Sequence, residues 1–201
     1  MLWINHINSS VTTAYGRLKQ AYKFRNFLSQ ESRFNIIETY ILSLFNYGDV
    51  LFQNISARLS NKIQRVQNSC MRFVFGLRKY DHISSCYEKN KTLNMENRRN
   101  LHGLVLMHKI SIGEAPEYLS EKLTRHSNLH DYNTRGRDNI AIPRVNTSTL
   151  ANTFFFSTAK MYNDIITTLN LNTHERTSVF TFKHKCKIFL TNKQYPNLLD
   201  S

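Results

Sequence analysis

Three cysteines, three prolines and six glycines are all that 201 residues contain of the types that cross-link a chain or interrupt its helices. Cys70, Cys86 and Cys186 are odd in number and widely spaced, which excludes a disulfide framework and any Cys-x-x-Cys metal knuckle. They read as small buried or partly buried hydrophobes. No run approaches the roughly 18 consecutive apolar residues of a membrane-spanning helix. The N-terminal Met1-Leu2-Trp3-Ile4-Asn5-His6 has neither the charged start nor the apolar stretch of a secretory signal. The expectation is an intracellular chain, nuclear or cytoplasmic, that is not secreted and has no membrane partner.

The motifs that mark catalysis are also missing: Ser, His and Asp are all present, and a nucleophilic triad need not be close in sequence, but nothing singles one out. Two-metal polymerase chemistry needs clustered carboxylates, commonly adjacent aspartates, and the chain has no Asp-Asp pair. Tyr47-Gly48-Asp49-Val50 is superficially like the aromatic-x-Asp-Asp turn of polymerases, but Val50 stands where the second aspartate belongs, and Asp49 reads as a helix-end residue. There is no Gly-x-Ser-x-Gly elbow and no glycine-rich phosphate loop. His126 and His130, followed by Asp131, have the i, i+4 spacing of a metal pair, as do His82 and Cys86. Both sit in polar sequence without further ligands, so solvated histidines are the simpler reading. No catalytic residue, no metal site and no cofactor is expected.

What is abundant is positive charge. Lys and Arg number 27 against 14 Asp and Glu, a formal net charge of +13. Residues 51–100 hold ten basic side chains against Asp81, Glu88 and Glu96, which concentrates +7 of that excess in a quarter of the chain. Such a field attracts polyanions and releases the counterions condensed on phosphates. RNA or DNA, bound non-specifically through the phosphate backbone, is the natural partner. With 41% hydrophobic residues the chain is long enough for one core, or for two small helical subdomains.

Apolar residues recur at helical spacing through the first half. Val11, Tyr15, Leu18, Tyr22 and Leu28 predict a helix ending near Ser29, and Ser29 to Ser32 supply caps for the next. Phe34, Ile37, Ile41, Leu44, Phe45 and Leu51 predict one continuous, central helix. A third helix, starting at Ser56, places Leu59, Ile63, Val66, Cys70, Phe73, Val74 and Leu77 on one arc. Arg58, Lys62, Arg65 and Arg72 fall on an arc centred about 110° away, with Arg78 and Lys79 beyond it. These six cations are the candidate phosphate-binding residues. Aromatics lie beside basic residues at Tyr15-Gly16-Arg17, Tyr22-Lys23-Phe24-Arg25 and Arg72-Phe73, a mixture able to stack bases; their helical spacing assigns most of the rings to the core.

Met95 to Ile112 predicts a further helix, closed by Gly113 and Pro116. Residues 124–149 read as a polar, irregular connection with room for one short strand. Phe155, Ala159, Tyr162, Ile166 and Leu169, then Val179, Phe182, Cys186, Phe189 and Leu190, predict two closing helices. The fold expected is mainly α, an irregular bundle of about six to seven helices. It comprises a helical subdomain over 1–123, the connection 124–149, and a C-terminal helical pair over 150–193.

The order of these segments resembles the region that follows the polymerase domain in jockey-like non-LTR retrotransposon polyproteins. The likeness is carried by Trp3-x-x-His6-Ile7, by Tyr47-Gly48-Asp49-Val50, and by Val66-Gln67-Asn68 followed by Arg72. It continues in Gly113-x-Ala115-Pro116-x-Tyr118-Leu119, in Thr134-Arg135 before Ile142-Pro143, and in Phe182-Lys183 with Leu190. Tyr162-Asn163-Asp164-Ile165-Ile166 departs from the family's Trp-Asn-x-Leu-Pro. The resemblance implies a parent that is an RNA-directed DNA polymerase (a reverse transcriptase of a transposable element) and an accessory role for this segment beside the rest of that polyprotein. It also allows a truncated copy. The alternative from composition alone is a helical protein-protein interaction module.

Overall fold

The computed structural model describes residues 3–129, 136–137, 139–171 and 177–196. It is mainly helical, with no strand among the described residues. Nine α-helices are described: α1 (Trp3–Tyr22), α2 (Gln30–Ile36), α3 (Ala57–Phe75), α4 (Ser84–Lys89), α5 (Met95–Ser111), α6 (Glu117–Ser120), α7 (Ser148–Ala151), α8 (Phe154–Thr168) and α9 (Val179–Gln194). None is long and apolar enough to cross a membrane. The excess over the six or seven expected lies in α4, α6 and α7, which are one or two turns long and too short to leave a periodic signature. The chain divides into two compact units, residues 1–99 with 191–201, and residues 100–190.

In the first unit α1 begins eight residues before its first predicted apolar position. Burial of Ile7, Ala14 and Leu18 on one face, and of part of the Trp3 ring against Phe52 (5.4 Å between centroids), outweighs the weak helix propensity of its Asn and Ser residues. Ser29 caps α2 as expected, its hydroxyl accepting from the Ser32 amide at 3.1 Å.

The continuous central helix does not form. After Ile36 the backbone widens into a π-helical turn over Ile37–Ile41, tightens into a 3-10 turn over Leu42–Phe45, and turns again through Gly48 (φ +65°) into a second 3-10 turn at Asp49–Phe52. A π turn inserts extra arc and rotates everything after it. Leu42, which the unbroken helix puts off its main stripe, is therefore buried, while Leu51 is exposed.

Helix α3 is the spine of this unit. Leu59, Ile63, Val66, Cys70, Phe73 and Val74 are buried along it and share a core with Ile7, Ile37, Ile41 and Phe45. Each such side chain is worth about 1.5–3 kcal/mol in burial. The Ser56 carbonyl, not its hydroxyl, accepts from the first amides of α3. Gly76 ends the helix in the left-handed region at φ +75°.

The Gln67-Asn68 pair of the family-like motif is a bracket for the chain that follows. Fully buried Gln67 donates to the Leu93 carbonyl at 2.9 Å, and Asn68 accepts from the Tyr87 hydroxyl at 2.9 Å. Gln64 accepts from the Met95 amide at 2.9 Å. Arg98 pairs with Glu38 at 2.7 Å and donates to Asn46 at 3.0 Å.

In the second unit, α8 and α9 bury the predicted Ala159, Tyr162, Ile166, Phe182, Cys186 and Leu190. His108 stacks on Phe182 with centroids 4.0 Å apart and planes 9° apart. Among its described residues the connection 124–149 holds no strand, and Arg125 and Ile140 form an isolated antiparallel bridge. Asn163 fixes the extended segment after it, accepting from the Ile140 amide at 3.0 Å and donating to the Ile140 carbonyl at 2.9 Å. Between that segment and α8 lies an open cavity of about 200 Å³, lined mainly by Leu123, Ile140, Ile142, Pro143, Phe155 and Phe156. Thr134, Arg135, His130 and Asp131 lie outside the described residues.

Candidate nucleic-acid interface

Positions 58, 62, 65 and 72 are four, seven and fourteen residues apart, so α3 carries their side chains along one edge over about 21 Å of axis. Because the neighbouring arc is packed into the core, that edge faces outward. Arg58 and Arg65 are exposed, and neither side chain makes a hydrogen bond or ion pair with any described residue. The other two are half-buried and engaged. Lys62 donates to the Asn8 side chain at 2.8 Å, and Arg72 donates to the Asp81 carbonyl at 3.3 Å. Four cations therefore share one edge, and Lys62 and Arg72 have part of their donor sets engaged.

Arg78 and Lys79 fall past Gly76, in a turn closed by the Arg78 amide donating to the Asp81 carboxylate at 2.6 Å. Arg72 ties this turn back to the last turn of α3. Both Arg78 and Lys79 are exposed, and the Lys79 ammonium lies 5.3 Å from the Tyr80 ring centroid.

Two further cations join this end of α3 from elsewhere in the sequence. Arg33 of α2 lies 3.4 Å from the Phe73 carbonyl, where a cation complements the partial negative charge of a helix C-terminus. Arg25 lies against Gly76, its guanidinium 2.7 Å from where a Cβ would stand, and 5.8 Å from the Tyr22 ring centroid. Neither residue was among the six candidates. Their approach is tertiary, produced by packing of α1 and α2 on α3, and the only sequence hint was Arg25 within Tyr22-Lys23-Phe24-Arg25.

The aromatic neighbours also differ from expectation. Phe73 is core, but Tyr15, Tyr22 and Phe24 are 41%, 43% and 59% exposed. They lie on the outer side of α1 and in the turn after it, because Ile7, Ala14 and Leu18 define the buried face.

Among the described residues no three His, Cys, Asp or Glu side chains group to hold a metal ion. Asp49 is buried, its charge acting on the Arg99 guanidinium, which is itself buried and donates to Ser60 at 3.0 Å. Burial pushes the thiols of Cys70 and Cys186 up to about 12, as expected of packing residues and not of nucleophiles. Compared with protein-family models, curated proteins and solved structures, the chain matches none.

Proposed function

We propose that this chain is a nucleic-acid-associated segment of a retrotransposon reverse-transcriptase polyprotein, lacking a catalytic centre of its own, and that α3 presents its basic edge to the phosphate backbone of RNA or DNA. The polyprotein part of this reading rests on the order of short motifs from Trp3 to Leu190. The nucleic-acid part rests on one observation: Arg58 and Arg65 stand exposed, engaged by no described side chain, on the outward edge of a helix whose neighbouring face is core. Phosphates recruit such donors without regard to base sequence.

The test is a titration of the full chain against labelled single-stranded RNA and duplex DNA at several salt concentrations. Log affinity should fall steeply with log salt. Arg58→Ala combined with Arg65→Ala removes two contacts, and the slope should flatten by about 2. An unchanged slope removes α3 from the interface. Affinity that ignores salt favours the second reading, a protein-interaction module, for which the open apolar cavity beside Phe155 and Phe156 is the supporting feature.

A further inference from the structure

Resting on that reading, we propose that the surface around the C-terminal end of α3 is a stacking platform that selects single-stranded nucleic acid over duplex. Four aromatic residues, on segments that meet this helix end, are partly or almost fully exposed. Tyr22 meets the buried Phe73 ring edge-on at 5.0 Å and leaves its outer side open. Phe24 and Phe27 flank Arg25 in the 3-10 turn that brings Arg25 against Gly76. Phe27 is 87% exposed. Tyr80, at 86%, stands in the turn that Arg72 and Asp81 tie to α3.

One exposed ring on a protein surface needs no explanation. Here the rings share the helix end with cations: Arg25 and Lys79 each lie within 6 Å of a ring centroid, Arg33 reaches the Phe73 carbonyl, and Arg72 and Arg78 are bonded to Asp81 in the turn that carries Tyr80. The acid in the turn, Asp81, is occupied by the Arg78 amide. Cations alone bind duplex and single strands alike, since both present phosphates. Protruding rings change the balance. The faces of paired bases are already stacked inside a duplex, whereas an unpaired base offers its face to Phe27 or Tyr80 while its phosphate meets Arg25, Arg78 or Lys79. The tyrosine and phenylalanine faces carry no base-specific donor pattern, so selection acts on strandedness and not on sequence.

The experiment uses the full chain, a single-stranded RNA carrying 2-aminopurine, and a duplex of equal length. Wild type should bind the single strand at least tenfold more tightly at equal salt and quench the 2-aminopurine. Phe27→Ala with Tyr80→Ala should abolish the quench and most of the preference while leaving the salt slope unchanged. Both positions are so exposed that folding is not at issue, and Phe27→Tyr with Tyr80→Phe should restore both signals. Equal, steeply salt-dependent binding to single strand and duplex, indifferent to the aromatic changes, overturns the platform and leaves the basic edge of α3 standing. Salt-independent or absent binding to both overturns the platform together with the reading beneath it.

Discussion

The Nδ1 of His108 lies 3.0 Å from the Tyr162 hydroxyl, and its Nε2 lies 2.8 Å from the Thr177 carbonyl. A carbonyl only accepts, so Nε2 donates to Thr177, and in the neutral ring that burial favours Nδ1 accepts from the tyrosine hydroxyl. The chain of bonds continues outward, since Ser111 bonds to Tyr162 and accepts from Arg125 at 2.7 Å. Burial holds the His108 pKa below its ordinary 6.5, against the weaker opposing pulls of the Thr177 carbonyl and Glu114. The unfolded chain therefore takes up the proton first. The unit 100–190 should keep its full stability above pH 6.5, lose it progressively as pH falls through that value, and stop losing it below the folded pKa. Urea denaturation from pH 8 to 5 measures the decline, and His108→Gln should remove that share of it. Tyr162→Phe should cost about 1 kcal/mol at pH 8 by leaving Nδ1 without a donor.

Gly76 is constrained twice. Its φ of +75° costs an L-residue about 1–2 kcal/mol, and a Cβ there would meet the Arg25 guanidinium at 2.7 Å. Gly76→Ala should destabilise the unit containing α3 by about that amount, and Gly76→Asn by less, because asparagine tolerates the left-handed region. If the two variants denature alike, the guanidinium clash and not the backbone sets the cost.

The first turn of α5 depends on a residue a hundred positions away. Gln194 accepts from the Asn94 amide at 3.0 Å and from the Asn97 side chain at 2.8 Å, and its own amide reaches the Thr92 carbonyl at 3.3 Å. Tyr195 donates to the same carbonyl at 2.9 Å. Together with Gln64 at the Met95 amide and the Asn94 side chain at the Asn97 amide, this satisfies amides that a helix start leaves unpaired. Gln194→Ala should destabilise the unit by about 1–3 kcal/mol and accelerate hydrogen exchange at Asn94, while the Asn97 amide, held by Asn94, should change less.

These dependencies mark where the sequence was readable. Helices α3, α8 and α9 announce themselves because a buried stripe runs along them, and the basic edge of α3 follows from the same periodicity; in α5 burial spreads from the predicted Leu101, Leu104 and His108 to Met107 and Ile110, while Val105 is only half-buried. The break at Ile37–Ile41 does not, since every residue from Phe34 to Phe45 fits a helix equally well and the extra arc is chosen by packing against α1 and α3. Nor does the recruitment of Arg25 and Arg33 to the end of α3, a contact made across 40 residues or more. Tyr15, Tyr22 and Phe24 misled for a related reason: α1 buries Ile7, Ala14 and Leu18 and leaves Tyr15 and Tyr22 partly exposed, with Phe24 in the turn after it, which residue type alone inverts. The clasp of Gln194 on Asn94 has no local signature at all.

The three cysteines make it possible to follow the two units separately. Cys70 is buried in the unit built on α3, and Cys186 in the unit 100–190; burial raises both thiols to about 12, so at pH 8 neither supplies appreciable thiolate while its surroundings stay folded. Cys86, half-buried on the short helix α4, is the accessible one. A thiol reagent at pH 8 should therefore modify one equivalent quickly in the native chain and three in denaturant. Slow labelling of Cys70 and Cys186, resolved by peptide mapping, then reports the opening of each unit. Gly76→Ala should accelerate Cys70 more than Cys186, and Tyr162→Phe the reverse. Equal acceleration of both thiols by either change would mean that the two units open as one cooperative block.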